Sequence, residues 1–144
     1  MKLEEIYEMW AKDSALDETK VGEASYDISL LHARYGVMLS KLKLGLKQAQ
    51  AERAKVYLDR YTFYTEGPSK EQMKAGAELP PRGKILKQEV DKYLEADEEM
   101  IRANLKLAIA QEKVDFLTDC MKQLANRQWQ IKNYIDWQKF LNNG

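Results

Sequence analysis

Residues 31–63 read LHARYGVMLSKLKLGLKQAQAERAKVYLDRYTF, and this stretch decides the fold. Its apolar residues recur at steps of three and four, which places them on one stripe of a helix. The stripe consists of Leu31, Tyr35, Met38, Leu42, Leu46, Ala49, Arg53, Val56, Arg60 and Phe63. Arginine thus interrupts it twice. Gly36 and Gly45 each weaken a helix by about 1 kcal/mol relative to alanine, so the pattern allows a kink or break near either glycine.

A segment rich in helix-breaking residues follows. Residues 66–83 contain all three prolines and three of the seven glycines, which predicts a loop. A shorter amphipathic helix is predicted from Leu3 to about Lys12, and Asp17 or Thr19 is a suitable cap for the helix after it. We therefore predict a single helical domain over 1–144. It comprises N-terminal helices with a basic stretch in 1–65, the loop of 66–83, and a C-terminal helical segment in 84–144.

The apolar pattern after the loop runs from about Val90 to Leu141 and is broader than one stripe. One face carries Leu94, Ile101, Leu105, Ile109, Phe116, Cys120 and Leu124; a second carries Met100, Leu107, Val114, Leu117 and Met121. Two apolar faces need two sets of neighbours. Helices of about 35 to 45 residues measure about 50 to 65 Å, too long for one compact subunit to cover. The pattern predicts an all-α fold whose subunits bury these faces against one another in a homo-oligomer, unless an unlocated break shortens the helices.

Composition and motifs exclude most catalytic classes. The chain is 44% hydrophobic and 32% charged, as in folded soluble proteins, and no apolar run approaches the roughly 18 residues that span a bilayer. We expect a reducing cytoplasm, where the lone Cys120 serves as a core hydrophobe. His32 is the only histidine, so one chain cannot build a serine triad or a two-histidine metal site. We predict no enzyme activity, no catalytic residues, no metal and no cofactor.

Charge is segregated along the chain although its formal total is zero. Seven bases and two acids between Arg34 and Arg60 give a local charge of +5, whereas 91–119 holds four bases and eight acids. Clustered positive charge on a helix is typical of a polyanion partner, although such a run is often only a solvated face. Cations interleaved with aromatic rings suit single-stranded DNA, because cations neutralise phosphates and rings stack on unpaired bases. The predicted DNA-binding residues are Lys41, Lys43, Lys47, Arg53, Lys55, Tyr57, Arg60 and Tyr61.

The end of the chain carries a second group of cations and rings, from Arg127 to Phe140. Large rings at a helical terminus more often seal a subunit interface than contact a ligand. We therefore predict an oligomer interface there rather than a second DNA site. Its predicted residues are Leu117, Met121, Leu124, Trp129, Ile131, Tyr134, Trp137 and Phe140.

Several stretches resemble one protein family. They are Met1–Ile6, Lys12-Asp13 with Leu16–Lys20, Lys55–Tyr61, Thr62–Pro68 with Glu78–Gly83, Ala96-Asp97, Gln111–Leu117 and Asn126–Lys132. Together they resemble the UvsY recombination mediators of tailed, myovirus-type phages, in particular members from marine phages. The likeness depends on its coverage of the chain, since no short catalytic signature carries it.

The resemblance implies a small, helical, ring-forming accessory protein that binds single-stranded DNA. Its implied partners are a RecA-like recombinase of the UvsX type, which it would load, and the phage single-stranded-DNA-binding protein, which it would help to displace. The implied location is the cytoplasm of the infected bacterial host. Lys55 matches a lysine of the family, whereas Tyr57 stands where the family often has arginine, and Arg60 lies about one turn further on.

Two alternatives remain open at this point. The first is a structural oligomerisation adaptor without DNA binding. In it the stretch from Arg34 to Arg60, called the basic block below, docks onto the acidic 91–119 stretch of a neighbour. The second is a helical-bundle enzyme with a metal between carboxylates, which a single histidine disfavours.

Overall fold

A computed structural model describes residues 1–81, 83 and 85–143, and within them the chain is helical without strands. Helix α1 spans Leu3–Asp13, and a one-turn 3-10 helix spans Glu18–Lys20. Helix α2 spans Val21–Glu66, α3 Lys70–Lys74, α4 Val90–Ala96 and α5 Glu98–Asn143. The predicted all-α class, with a short first helix and two long helical segments around a loop, is confirmed. None of the described helices is both long enough and apolar enough to span a bilayer.

Helix α2 runs without a break for 46 residues. The allowed break does not occur, because Gly36 and Gly45 both lie inside the continuous helix. Asp17 caps the preceding turn, since its Oδ1 accepts a hydrogen bond from the Thr19 backbone N–H at 2.9 Å. Every member of the predicted apolar stripe is buried or half-buried, including both arginines. The three-and-four spacing therefore identified the packed side of α2.

The predicted loop contains a short helix that sequence reasoning missed. Gly67, with φ of 77°, ends α2 in the left-handed region that glycine adopts without strain. Ser69 then starts α3, because its side chain accepts the Gln72 N–H and the Gln72 side chain accepts the Ser69 N–H. Beyond α3, the Ile85 N–H donates to the carbonyl of Tyr64 at 2.9 Å, which ties the chain back to α2. Arg82, at the end of the predicted loop, lies outside the described residues.

The apolar pattern from Val90 onward is divided at Asp97, a break that periodicity alone did not reveal. Asp97 has an extended backbone, with φ of −69° and ψ of 128°, and separates α4 from α5. Its Oδ1 accepts the Met100 backbone N–H at 2.9 Å, so the residue that ends α4 also caps the start of α5. The C-terminal segment is therefore two helices.

The chain forms two compact units. The first comprises Met1–Leu44 and Gln111–Gly144, and the second comprises Gly45–Ala110. The buried apolar side chains of the first unit are Ile6, Ile28, Tyr35, Leu39, Val114, Leu117, Cys120, Leu124 and Ile131. The second unit has a cluster of Tyr64, Ile85, Val90, Leu94 and Met100, with Val56, Tyr61, Phe63 and Tyr93 packed against it. Each unit thus has its own core.

Within the first unit, α1 is attached to both long helices. The Trp10 ring meets Tyr35 edge-on at 5.5 Å between centroids, and Tyr7 meets Phe116 in the same way at 4.7 Å. Asp13 accepts hydrogen bonds from the Arg34 guanidinium and, at 2.8 Å, from the Tyr35 hydroxyl. Burial and this hydrogen bond raise the pKa of Tyr35 well above its ordinary value.

Arg127 completes the attachment of α1. Its side chain is buried, and its guanidinium donates to the backbone carbonyls of Asp13, at 3.0 Å, and of Ser14. These carbonyls lie at the end of α1, where helical partners run out and a cation opposes the negative end of the helix dipole. The sequence grouped Arg127 with the cations and rings at the end of the chain, whereas in the structure its side chain holds the end of α1.

Candidate nucleic-acid interface

The lysines of the basic block are all exposed on α2. Lys41 and Lys43 belong to the first unit, and Lys47 and Lys55 to the second. A fully hydrated ammonium on a long flexible stem contacts a phosphate without loss of buried packing. These four predicted DNA-binding residues are therefore available to a polyanion.

The arginines of the second unit are placed differently. Arg53 is half-buried, and its Nε donates to Asn104 Oδ1 at 2.7 Å. The Arg60 side chain is only 19% exposed, and its Nε donates to Asp97 Oδ2 at 2.9 Å. Glu99 lies 3.9 Å from the same nitrogen. Both arginines, which the sequence assigned to DNA contact, are thus engaged with residues of the acidic stretch of their own chain.

Asp97 is the centre of a small buried polar network. It is 5% exposed, and besides Arg60 and the Met100 N–H it accepts the Tyr64 hydroxyl at 2.7 Å. Burial alone would raise the pKa of Asp97, but the hydrogen bonds from Met100, Tyr64 and Arg60 together hold it below its ordinary value. The carboxylate is therefore ionised at neutral pH and balances the Arg60 charge.

The two predicted aromatic contacts form a pair on α2. The rings of Tyr57 and Tyr61 stack with centroids 6.1 Å apart and planes 23° apart. The Arg53 guanidinium lies 5.9 Å from the centroid of Tyr57. Tyr57 is 39% exposed, whereas Tyr61 is half-buried against the core of the second unit. Tyr57 is therefore the ring of this pair that offers more surface to a base.

The predicted contacts of the second unit do not share one face of α2. At about 100° per residue, Lys55 and Tyr57 point about 160° apart around the helix axis. Lys47 lies about 80° from Tyr57 and about 40° from Tyr61 on the same basis. Lys47 is also about 80° from Lys55, so around the helix axis it lies between the two rings and Lys55.

The predicted oligomer interface also divides by exposure. Leu117, Leu124 and Ile131 are buried in the core of the first unit, so they have no surface left for a partner. Met121 and Tyr134 are half-buried. Trp129, Trp137 and Phe140 are exposed. Trp137 stacks on Phe140 with centroids 5.6 Å apart, and the Lys132 ammonium lies 5.3 Å from the centre of the Trp129 ring.

Sequence reasoning missed the polar partners of the two arginines, namely Asp97, which caps the start of α5, and Asn104 within α5. One signal was present, since the two arginines that interrupt an apolar stripe require polar partners wherever that stripe is packed. His32 is exposed. Among the described residues, no group of three or more His, Cys, Asp or Glu side chains is placed to hold a metal ion.

Comparisons with known proteins agree on one family. The family described as "Recombination, repair and ssDNA binding protein UvsY" matches residues 9–144. Among curated protein sequences, none matches the chain.

Three crystal structures of the bacteriophage T4 recombination mediator protein UvsY share the fold. The lattice type II structure has a TM-score of 0.80 at 22% identity and covers 99% of this chain and 98% of its own. The type IV structure has a TM-score of 0.78 at 20% identity, covering 97% and 98%. The type I structure has a TM-score of 0.76 at 20% identity, covering 94% and 98%.

Proposed function

Because the chain belongs to the UvsY family of phage recombination, repair and single-stranded-DNA-binding proteins, which are not enzymes, we propose that it is a recombination mediator. In this role it binds single-stranded DNA that is coated by the phage single-stranded-DNA-binding protein. It then loads a RecA-like recombinase of the UvsX type, in the cytoplasm of the infected bacterial host. The family match carries this proposal, and four exposed lysines on α2 support its DNA-binding step.

We propose that DNA binding is electrostatic in its main part. Lys41, Lys43, Lys47 and Lys55 neutralise phosphates and release counterions. Each neutralised phosphate contributes about −0.7 to the slope of log affinity against log salt for single strands. A titration of the full chain with a fluorescent oligothymidylate at several salt concentrations tests this, and a slope near zero would refute the electrostatic account.

Stacking on Tyr57 supplies the preference for unpaired strands. Its ring is the more exposed of the pair, and a base stacked on an aromatic side chain contributes about 1–3 kcal/mol. Paired bases inside a duplex cannot reach it. We expect Tyr57→Ala to weaken single-strand binding without changing the salt slope, and Tyr57→Phe to bind like the parent. Equal losses for single- and double-stranded oligonucleotides would contradict this assignment.

We also propose that the chain is a homo-oligomer. In the second unit α5 is apolar on its outward side as well as on its packed side, because Ile101, Leu105 and Ile109 are exposed at steps of four. Helices that are apolar on opposite sides need a second neighbour. A ring of subunits would also multiply a weak basic surface into high avidity.

The oligomer is tested by mass in solution. We expect the double substitution Leu105→Glu and Ile109→Glu to lower the mass measured by light scattering while the helical circular dichroism is kept. Leu79→Glu, at an exposed position outside the helices, is the matched control. An unchanged mass in the double variant would remove this surface from the interface.

The adaptor without DNA binding remains the second candidate, and one observation favours it. Arg60 is engaged by an acidic residue, Asp97, as that hypothesis requires of the basic block, although the partner belongs to the same chain. The adaptor hypothesis predicts an oligomer that does not bind oligonucleotides. The titration above, combined with mass measurement and a recombinase-loading assay on protein-coated DNA, distinguishes the two candidates.

A further inference from the structure

Two polar contacts join α2 and α5 within the second unit, and their spacing is the same on both helices. Arg53 contacts Asn104, and Arg60 contacts Asp97. The arginines are seven residues apart, and so are their partners, in the opposite order along the chain. These portions of the two helices therefore run antiparallel, with one polar contact in each of two successive heptads.

The Arg60 guanidinium packs against two aromatic rings as well as bonding to Asp97. The guanidinium lies 4.2 Å from the centre of the Phe63 ring and 5.4 Å from that of Tyr64, in addition to its bond to Asp97. Asp97 in turn accepts from Tyr64 and from the Met100 backbone. Asp97 and the two rings therefore orient this guanidinium toward the core of its own unit.

Buried ion pairs contribute little net stability, because desolvation offsets their attraction. Their best-supported role is to specify register, as a single polar residue does in a coiled coil. A slip of one heptad in one direction would carry Arg60 past the start of α5, which Asp97 caps, and so leave Arg60 without its carboxylate. A slip in the other direction would leave Asp97 without an arginine. Either slip buries an unpaired charge, which is strongly destabilising.

We propose that Arg53 and Arg60 are positioning residues that set the register of α2 against α5 in the second unit. Although both belong to the basic block, neither contacts DNA. Lys47 and Lys55 are the cations of this unit that meet phosphates. The assignment of the lysines rests on the proposed DNA binding, whereas the register role does not depend on it.

The salt slope separates positioning from contact. We expect Lys55→Gln to reduce the magnitude of the slope by up to about 0.7, as for one lost phosphate contact. Arg60→Gln should weaken binding by the same factor at every salt concentration and leave the slope unchanged. Arg60→Lys, which keeps a charge for Asp97, should recover part of that loss. Measurements are made on the full chain, at a temperature where circular dichroism shows equal helicity for all variants.

Asp97→Asn gives opposite results under the two hypotheses. If Arg60 positions the helices, losing the carboxylate weakens DNA binding as Arg60→Gln does. If Arg60 contacts phosphate, the substitution frees its guanidinium, so binding tightens and the slope steepens. A steeper slope in this variant, or a slope reduced in Arg60→Gln as much as in Lys55→Gln, would overturn the proposal.

Urea unfolding tests the register role without DNA. We expect the shifts in midpoint from Arg60→Gln and Asp97→Asn to be non-additive in the double variant, and those from Arg60→Gln and Asn104→Ala to add. Additive shifts for Arg60 with Asp97 would refute the pairing. Should a single variant fail to fold, Arg60→Leu with Asp97→Leu replaces the pair by apolar groups and should fold with an unchanged salt slope. If the parent chain did not bind oligonucleotides, only the proposed function would be refuted. The urea-unfolding comparison of single and double variants would still test whether Arg60 and Asp97 set the register.

Discussion

Arg127→Gln should weaken the attachment of α1 to α5 and cost about 2–4 kcal/mol of unfolding free energy. The side chain is buried and donates to two carbonyls at the end of α1, and hydrogen bonds to a charged group contribute about 1.5–3 kcal/mol each. Glutamine can restore at most part of one bond, and water can reach the freed carbonyls, so the loss is smaller than the sum of two bonds.

The assay is urea unfolding followed by far-ultraviolet circular dichroism, with tryptophan fluorescence as a second probe, because Trp10 packs against Tyr35 at the same attachment. Arg102→Gln is the matched control, since Arg102 is an exposed arginine on the same helix. We expect the control to change stability by less than about 0.5 kcal/mol. If Arg127→Gln were no more destabilising than Arg102→Gln, the assigned role of Arg127 at the end of α1 would be wrong.

Other positions give further tests. Hydrogen bonds lower the folded-state pKa of Asp97. The stabilisation from its carboxylate is therefore present above the unfolded pKa of about 3.9 and is lost as the pH falls through the folded-state pKa. Asp97→Asn should make the unfolding free energy less dependent on pH in this acid range. Leu117→Ala, at a fully buried position, should cost about 2–5 kcal/mol in urea unfolding, and a cost below about 1 kcal/mol would contradict its place in the core. Trp137→Ala should lower the mass of the oligomer before it lowers helicity, since the ring is exposed in the subunit. Burial raises the pKa of the Cys120 thiol to about 11, so a thiol reagent should modify it only as the chain unfolds, and rapid labelling of the native protein would show that it is accessible.

Much of the fold could be predicted because it depends on local signals. The step of three and four from Leu31 to Phe63 identified the buried side of α2, and the prolines and glycines located the break between the two helical segments. The division of the C-terminal segment at Asp97 was harder to predict, because Asp97 begins a run of acids that resembles the solvated face of a helix. Its position before Glu98 and Glu99 is nevertheless a usual start for a helix, and this local signal could have revealed the division.

The candidate site could be predicted only in part. A sequence shows which residues are charged, but it does not show which distant residues they pair with. The lysines of the block are exposed as expected, whereas Arg53 and Arg60 have partners about 50 and 37 residues away. Such contacts depend on the register between two helices, which no pattern within one helix specifies. The same reasoning applies to Leu117 and Leu124, whose apolar character suits a core and an interface equally.

The matched spacing of the two arginine contacts limits how these helices can change in length. Deleting one residue between Arg53 and Arg60 would turn one arginine by about 100° relative to the other and remove it from the buried side. Removing seven residues, about two turns, from each helix would keep both arginines on the buried side. Insertions and deletions tolerated in this part of the chain should therefore come as paired multiples of seven.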